Sequence, residues 1–155
     1  MDPTQLRSYF ATVYEFPTEN GIVRASLDGE LVKDVAALPE ILRRDFALLT
    51  AYNPRSMLLP RRVNESRHQV LRDLLVFGGY RVEHCIGYDE DPDGVWREPA
   101  WLVHGIDRDE SIHIGRTFRQ NTIVYCTGAR PELIVTDATC DDIGRTFQGN
   151  WRVRQ

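Results

Sequence analysis

The chain has 155 residues, 42% of them hydrophobic, enough for one globular domain that buries roughly 70% of the surface its unfolded chain exposes. Its 19 basic and 23 acidic residues, net charge −4, are spread along the sequence and leave no basic footprint of the kind a dedicated nucleic-acid binder carries. No apolar stretch approaches the ~20 residues of a membrane span, the first residues lack the pattern of a signal peptide, and three cysteines without CxxC spacing speak against a disulfide framework.

A cytoplasmic protein with no membrane or nucleic-acid partner is therefore expected, with Cys85, Cys126 and Cys140 as small buried apolar residues.

Asp2, Pro3 and Gln5 form a capping-box start, and Leu6, Phe10, Val13 and Tyr14 share a face at helical spacing. A helix to about residue 14 is predicted, stopping before Pro17. Residues 21–27 alternate as a strand does, with Asp28-Gly29 as a turn signal and residues 30–35 as the predicted hairpin partner. Residues 38–44 read as a short helical or irregular connection. The continuous apolar run from Phe46 to Ala51 predicts a strand covered on both faces, ended by Asn53-Pro54.

Val63, Val70, Leu71, Leu74 and Leu75 define an amphipathic helix over residues 61–77, with Gly78 or Gly79 at its C-terminal cap. Residues 81–88 are the next predicted strand, residues 89–94 a solvated acidic loop, and residues 100–106 a further strand. Asp107 and Glu110 have capping-box spacing and open a helix that ends within residues 118–120. Residues 122–126 and 133–136 then form a hairpin. Six or seven strands interrupted by three principal helices predict a single α+β domain over residues 1–155, a mixed sheet of about six strands with about three helices. A three-layer α/β arrangement is the alternative. Ile114-Gly-Arg-Thr-Phe118 recurs as Ile143-Gly-Arg-Thr-Phe147, two copies that do not make a solenoid; Arg116 and Arg145 are each placed to cap a helix C-terminus.

The residues that carry chemistry gather around the central run. Thr50 and Asn53 lie where the predicted strand passes into a loop, and Asn64 and Arg67 share one side of the first turns of the following helix. Arg67 has the fork that grips a carboxylate or phosphate, with Asn64 to orient it; equally, Asn64 can cap the helix and Arg67 can pair with an acid. Asn53 before Pro54 also suits a plain turn. Glu98, beside Trp96 and Pro99, is either an acid or base with a raised pKa or a salt-bridge partner. Gln120 either reaches into a cleft or caps a helix.

His68, His84, His104 and His113 lack metal-site spacing, and no phosphate loop, dinucleotide fingerprint or nucleophile elbow occurs, so neither metal nor cofactor is expected. Met57, Leu58 and Leu59 put apolar side chains in a loop beside these polar groups, which suits a lid, a protein contact or a staple over the core.

Taken together, the Thr50-Ala51-x-Asn53-Pro54 segment, the Asn64-x-x-Arg67 helix start followed by Leu71 and Leu74, Trp96-x-Glu98 and Phe118-x-Gln120 resemble the bacterial domain of unknown function 3293 family. The resemblance extends from about Leu6 to Val135, with Tyr52 where Trp is usual and Asn121 where Ala is common. It implies a small cytoplasmic domain in which Asn53, Asn64, Arg67, Glu98 and Gln120 converge, and it brings no reaction, substrate or cofactor.

The expectation is a site for an anionic small molecule, a nucleotide or sugar phosphate, with Arg67 on the anion, Thr50, Asn53, Asn64 and Gln120 orienting, and Glu98 as the acid or base of any chemistry. The alternative is a non-enzymatic interaction module that makes its contact through Met57, Leu58 and Leu59.

Overall fold

The computed structural model describes residues 1–91, 94 and 96–155; the part of the acidic loop at Pro92, Asp93 and Val95 lies outside the described residues. Among the described residues three α-helices, α1 (Pro3–Ala11), α2 (Arg61–Phe77) and α3 (Arg108–Thr117), accompany nine strands. These are β1 (Val13–Thr18), β2 (Gly21–Ser26), β3 (Phe46–Leu49), β4 (Val82–Tyr88), β5 (Arg97–His104), β6 (Thr122–Thr127), β7 (Arg130–Val135), β8 (Thr146–Gln148) and β9 (Arg152–Arg154). They form a single sheet in the order β8-β7-β6-β3-β5-β4-β1-β2-β9.

Every ladder in that sheet is antiparallel, so the expected mixed sheet of about six strands is corrected to an antiparallel one of nine, and the α/β alternative falls with it. Helices interrupt the strand order without crossing between parallel neighbours, so the α+β class stands.

The sheet is strongly curled. β8 and β9 stand at its opposite ends although only residues 149–151 separate them. Gly149 N donates to Pro131 O on β7 and Asn150 N donates to Leu27 O just past β2, each at 2.9 Å, so this connector laces the two rims of a half-barrel together. The packing requires glycine at position 29, because a Cβ there would lie 2.5 Å from the Trp151 carbonyl oxygen.

Curling divides the apolar residues between two faces. Phe46 and Leu48 point inward with Phe16, Leu102, Leu133 and Trp151, whereas Ala47 and Leu49 point outward with Trp101 and Val103 beneath α2 and α3. Period-two alternation thus explains why all four residues of β3 are buried: both faces of this central strand are covered. The Phe16, Phe46 and Trp151 rings meet at centroid separations of 5.9 to 6.1 Å inside the curl. Leu6, Tyr9 and Phe10 of α1 close one end, and Ile41 and Leu42 of a 3-10 turn join the same core.

Several local expectations need correction. The first helix ends at Ala11, where Thr12 caps it through Ser8 O, and Val13 and Tyr14 begin β1. β1, not residues 30–35, is the hairpin partner of β2. The apolar stripe of α2 is also rotated: Asn64, His68, Leu71 and Leu75 are buried, while Val63, Val70 and Leu74 are exposed. The two Ile-Gly-Arg-Thr-Phe copies fold differently. The first ends α3, and the second leads into β8, where Arg145 pairs with Asp142 and lies 4.9 Å from the Phe147 ring centroid, so it caps no helix. Cys85 and Cys126 are buried as expected, and Cys140 is half-buried.

Candidate functional site

A register row builds the site. Tyr14 on β1 pairs with Gly87 on β4, and Gly87 pairs with Glu98 on β5, so all three positions share the inner face near the end that α1 covers. The missing side chain at Gly87 leaves space that two rings approach: a Cβ there would lie 3.2 Å from Tyr14 and 3.3 Å from Trp96. A cavity of about 190 Å3 opens at this end, walled by Tyr9, Tyr14, Trp96, Glu98 and Asn121. Thr50, Asn53 and Gln120 line it as well, and Leu58, 86% exposed, stands at its rim.

The loop after β3 is held in a costly shape. Asn53, Arg55 and Ser56 all have left-handed backbone (φ 39°, 52° and 58°), a region that non-glycine residues enter at the expense of roughly 1 kcal/mol or more each. Hydrogen bonds offset that cost. Asn53 Nδ2 donates to Glu98 Oε1 at 2.7 Å, while Asn53 Oδ1 accepts from Asn64 Nδ2 at 2.8 Å and from Leu59 N at 3.0 Å. Asn64 Oδ1 accepts from Asn53 N at 2.9 Å. Thr50 Oγ1 donates to Pro99 O at 2.9 Å, which fastens the end of β3 to β5.

Arg67 serves the same loop from behind. Its Nε donates to Ala51 O at 2.8 Å and a terminal nitrogen donates to Phe118 O at 2.9 Å, so the guanidinium braces β3 against the end of α3 and does not line the cavity. Gln120 completes the brace by donating to Tyr52 O at 3.0 Å. Of the six predicted site residues, Thr50, Asn53, Glu98 and Gln120 reach the cavity, whereas Asn64 and Arg67 support the loop that lines it. Tyr9, Tyr14 and Asn121 were not predicted. An isolated glycine inside a predicted strand, Gly87, is the sequence signal that could have found this spot.

Burial pushes the Glu98 carboxyl above the ordinary carboxylate range, against hydrogen bonds from Asn53 and Trp96 that pull it down. None of the described residues that line the cavity is Arg, Lys or His, and Glu98 has no ion pair among the described residues. Burial, with Cys85, Tyr9 and Glu98 nearby, raises the Tyr14 phenol and keeps it protonated. Asn121 Nδ2 donates to Tyr9 Oη at 3.0 Å and to Ser56 Oγ at 2.8 Å, tying α1 to the strained loop.

Histidines lie elsewhere. His68 stacks on Trp101 at 4.4 Å beneath α2, and both its ring nitrogens are buried without a hydrogen-bond partner. His104 pairs with Glu83 at 2.7 Å on the same inner face, away from the cavity. Among the described residues no group of three His, Cys, Asp or Glu is placed to hold a metal ion.

Residues 49–123, just under half of the chain, match the model of a family described as protein of unknown function (DUF3293). Over these residues the chain is similar to the DUF3293 family. The matched stretch runs from the end of β3 into β6 and is shorter than the resemblance read over residues 6–135. All six predicted site residues fall inside it, whereas Tyr9 and Tyr14, which complete the cavity wall, come from the part of the chain that precedes the DUF3293 match. No curated protein and no solved structure shows significant similarity to the chain. No helix among the described residues is long and apolar enough to cross a membrane.

Proposed function

We propose that this chain binds a small molecule in the cavity beside Glu98, with that carboxyl as its polar anchor and, if a bond is made or broken, as the acid or base. The observation that carries this reading is a carboxylate set into a cavity wall with hydrogen bonds from Asn53 and Trp96 and with no cation paired to it among the described residues. Binding sites of this kind are concave and mostly apolar, with a few convergent polar groups. At about 190 Å3 the cavity is smaller than most drug-sized pockets and suits a metabolite a little larger than benzene, which fills an engineered cavity of about 150 Å3.

The position of Arg67 weighs against an anionic occupant. To grip a phosphate it would have to release Ala51 O and Phe118 O and turn toward a wall that holds a carboxylate. A neutral or cationic ligand fits the lining better than a nucleotide or sugar phosphate.

Thermal shift against a panel of amines, alcohols, nucleobases and sugar phosphates tests this reading. A ligand at about 100 times its dissociation constant adds about 2.7 kcal/mol, worth roughly 5 to 10 °C for a domain of this size. A shift that disappears in Glu98→Ala supports the reading, and shifts given only by the sugar phosphates would restore the anionic one.

The interaction module remains as a second reading because Met57 and Leu58, 52% and 86% exposed, are adjacent apolar residues, Leu58 at the cavity rim, with Leu59 half-buried beside them. Light scattering decides it for self-association: a wild-type dimer that Leu58→Asp converts to a folded monomer would favour a contact surface.

A further inference from the structure

The wall of the cavity narrows the ligand class. Tyr9, Tyr14 and Trp96 contribute three aromatic side chains, and Tyr14 and Trp96 both crowd the bare backbone of Gly87, the residue paired with Glu98 across the ladder. Glu98 can accept hydrogen bonds but, when ionised, has nothing to donate. An ionised carboxylate withdrawn from water without a positive partner is costly to keep, and a cation that enters beside it recovers Coulomb energy at the moment of binding. Aromatic rings add to this, because a cation is drawn to the negative face of a π-system most strongly where water has been removed.

We infer that the occupant is a small organic ammonium ion, its nitrogen held by the Glu98 carboxylate among the aromatic walls of Tyr14 and Trp96. This rests on the small-molecule reading of the same cavity and adds the charge of the ligand. Asn53 is then a positioning residue: its Nδ2 takes one lone pair of Oε1 and aims the rest of the carboxylate. The polar groups at Thr50, Gln120 and Asn121 meet whatever hydrogen-bonding groups the body of the ligand carries.

The test uses two pairs of near-isosteres that differ in charge, choline against 3,3-dimethylbutan-1-ol and benzylamine against benzyl alcohol, titrated into the full chain at one ionic strength. Binding is read from the indole resonance of Trp96, assigned with Trp96→Phe, and from calorimetry. Trp96 is 38% exposed, so its replacement leaves the core intact, and Glu98→Gln keeps an acceptor for Asn53.

At least one ammonium member should bind about tenfold or more tightly than its neutral partner. That advantage should vanish in Glu98→Gln and shrink several-fold in Trp96→Ala. Equal binding of the neutral members, or an advantage that survives Glu98→Gln, overturns the ammonium inference and leaves the small-molecule reading standing. If neither member of either pair binds the folded wild type, a Glu98-dependent amine from the wider panel supports the ammonium inference, whereas a Glu98-dependent ligand without an ammonium group overturns that inference alone. If the panel is silent too, both fail.

Discussion

Asn53 Nδ2 and Glu98 Oε1 lie 2.7 Å apart, and this bond joins a strained loop to the carboxyl group that the cavity presents. One asparagine therefore sets both the backbone course of residues 53–59 and the orientation of Glu98.

Replacing Asn53 by alanine is expected to cost about 2 to 4 kcal/mol. It removes the bonds to Leu59 N, Asn64 and Glu98 and leaves a Cβ residue without side-chain compensation in the left-handed region. Asn53→Gly should recover the backbone part only, so a urea midpoint between those of wild type and Asn53→Ala is expected.

Glu98→Gln should stabilise the protein at neutral pH. Because burial raises the folded-state pKa above the unfolded value, the Glu98 contribution is most favourable below about pH 4.3 and is lost as pH rises through the raised folded pKa. Glutamine does not titrate. Melting temperatures of the two proteins should coincide near pH 4 and separate toward pH 7, by roughly 2 to 4 °C per kcal/mol recovered; a wild type more stable than Glu98→Gln at pH 7 would contradict the placement of the carboxyl.

Arg67→Ala should lower stability by about 2 to 4 kcal/mol, because Ala51 O and Phe118 O lose a charged donor inside the fold. Its effect on ligand affinity should be small wherever the variant is still folded. A stable variant that has lost binding would instead return Arg67 to the role of an anion grip.

His68 makes a pH signature of its own. Burial first, and the nearby His84 second, lower it to about 4, so it is neutral at pH 7. Its contribution is fully present above the unfolded value of about 6.5 and is lost as pH falls from there toward 4, a change on the order of 3 kcal/mol. His68→Phe keeps a ring on Trp101 and should flatten the stability profile across that window, as followed by urea denaturation.

Gly115→Ala tests the seat of α3. A Cβ there would lie 2.8 Å from the Ile123 Cγ2 methyl and 3.1 Å from that of Thr136, so the helix must lift from the sheet, at about 1 to 3 kcal/mol. The equivalent glycine of the second copy, Gly144, has no atom within 4 Å of its missing Cβ, but its φ of +80° makes alanine strained there by backbone conformation instead.

The sequence was legible where a local rule and the tertiary structure agreed. α2 was read with its observed bounds because Gly78 stops a clear helical period, yet its buried side was misjudged, since Asn64 and His68 occupy positions that the pattern assigns to solvent. β8 and β9 escaped notice because they are three residues long and Arg152-Val153-Arg154 has no apolar alternation; their ladder bonds come from strands far away in sequence. At the site, Asn53, Asn64 and Glu98 were grouped correctly in space, while Tyr14 was hidden by its assignment to a helix, where its inward direction across β1 was not readable.

The lacing of both rims by residues 149–151 also governs the order in which this molecule can be made. During synthesis the strands of the middle can pair as they emerge, but β8 and β9 arrive together after the other strands of the sheet, so β7 and β2 each wait for a neighbour until residues 146–154 emerge. Trp151, whose ring completes the aromatic cluster with Phe16 and Phe46, enters the core in that same step. A chain stopped before residue 146 is left with two open edges and an unfilled centre, and a ribosome-bound chain of that length should be the species that chaperones and proteases meet.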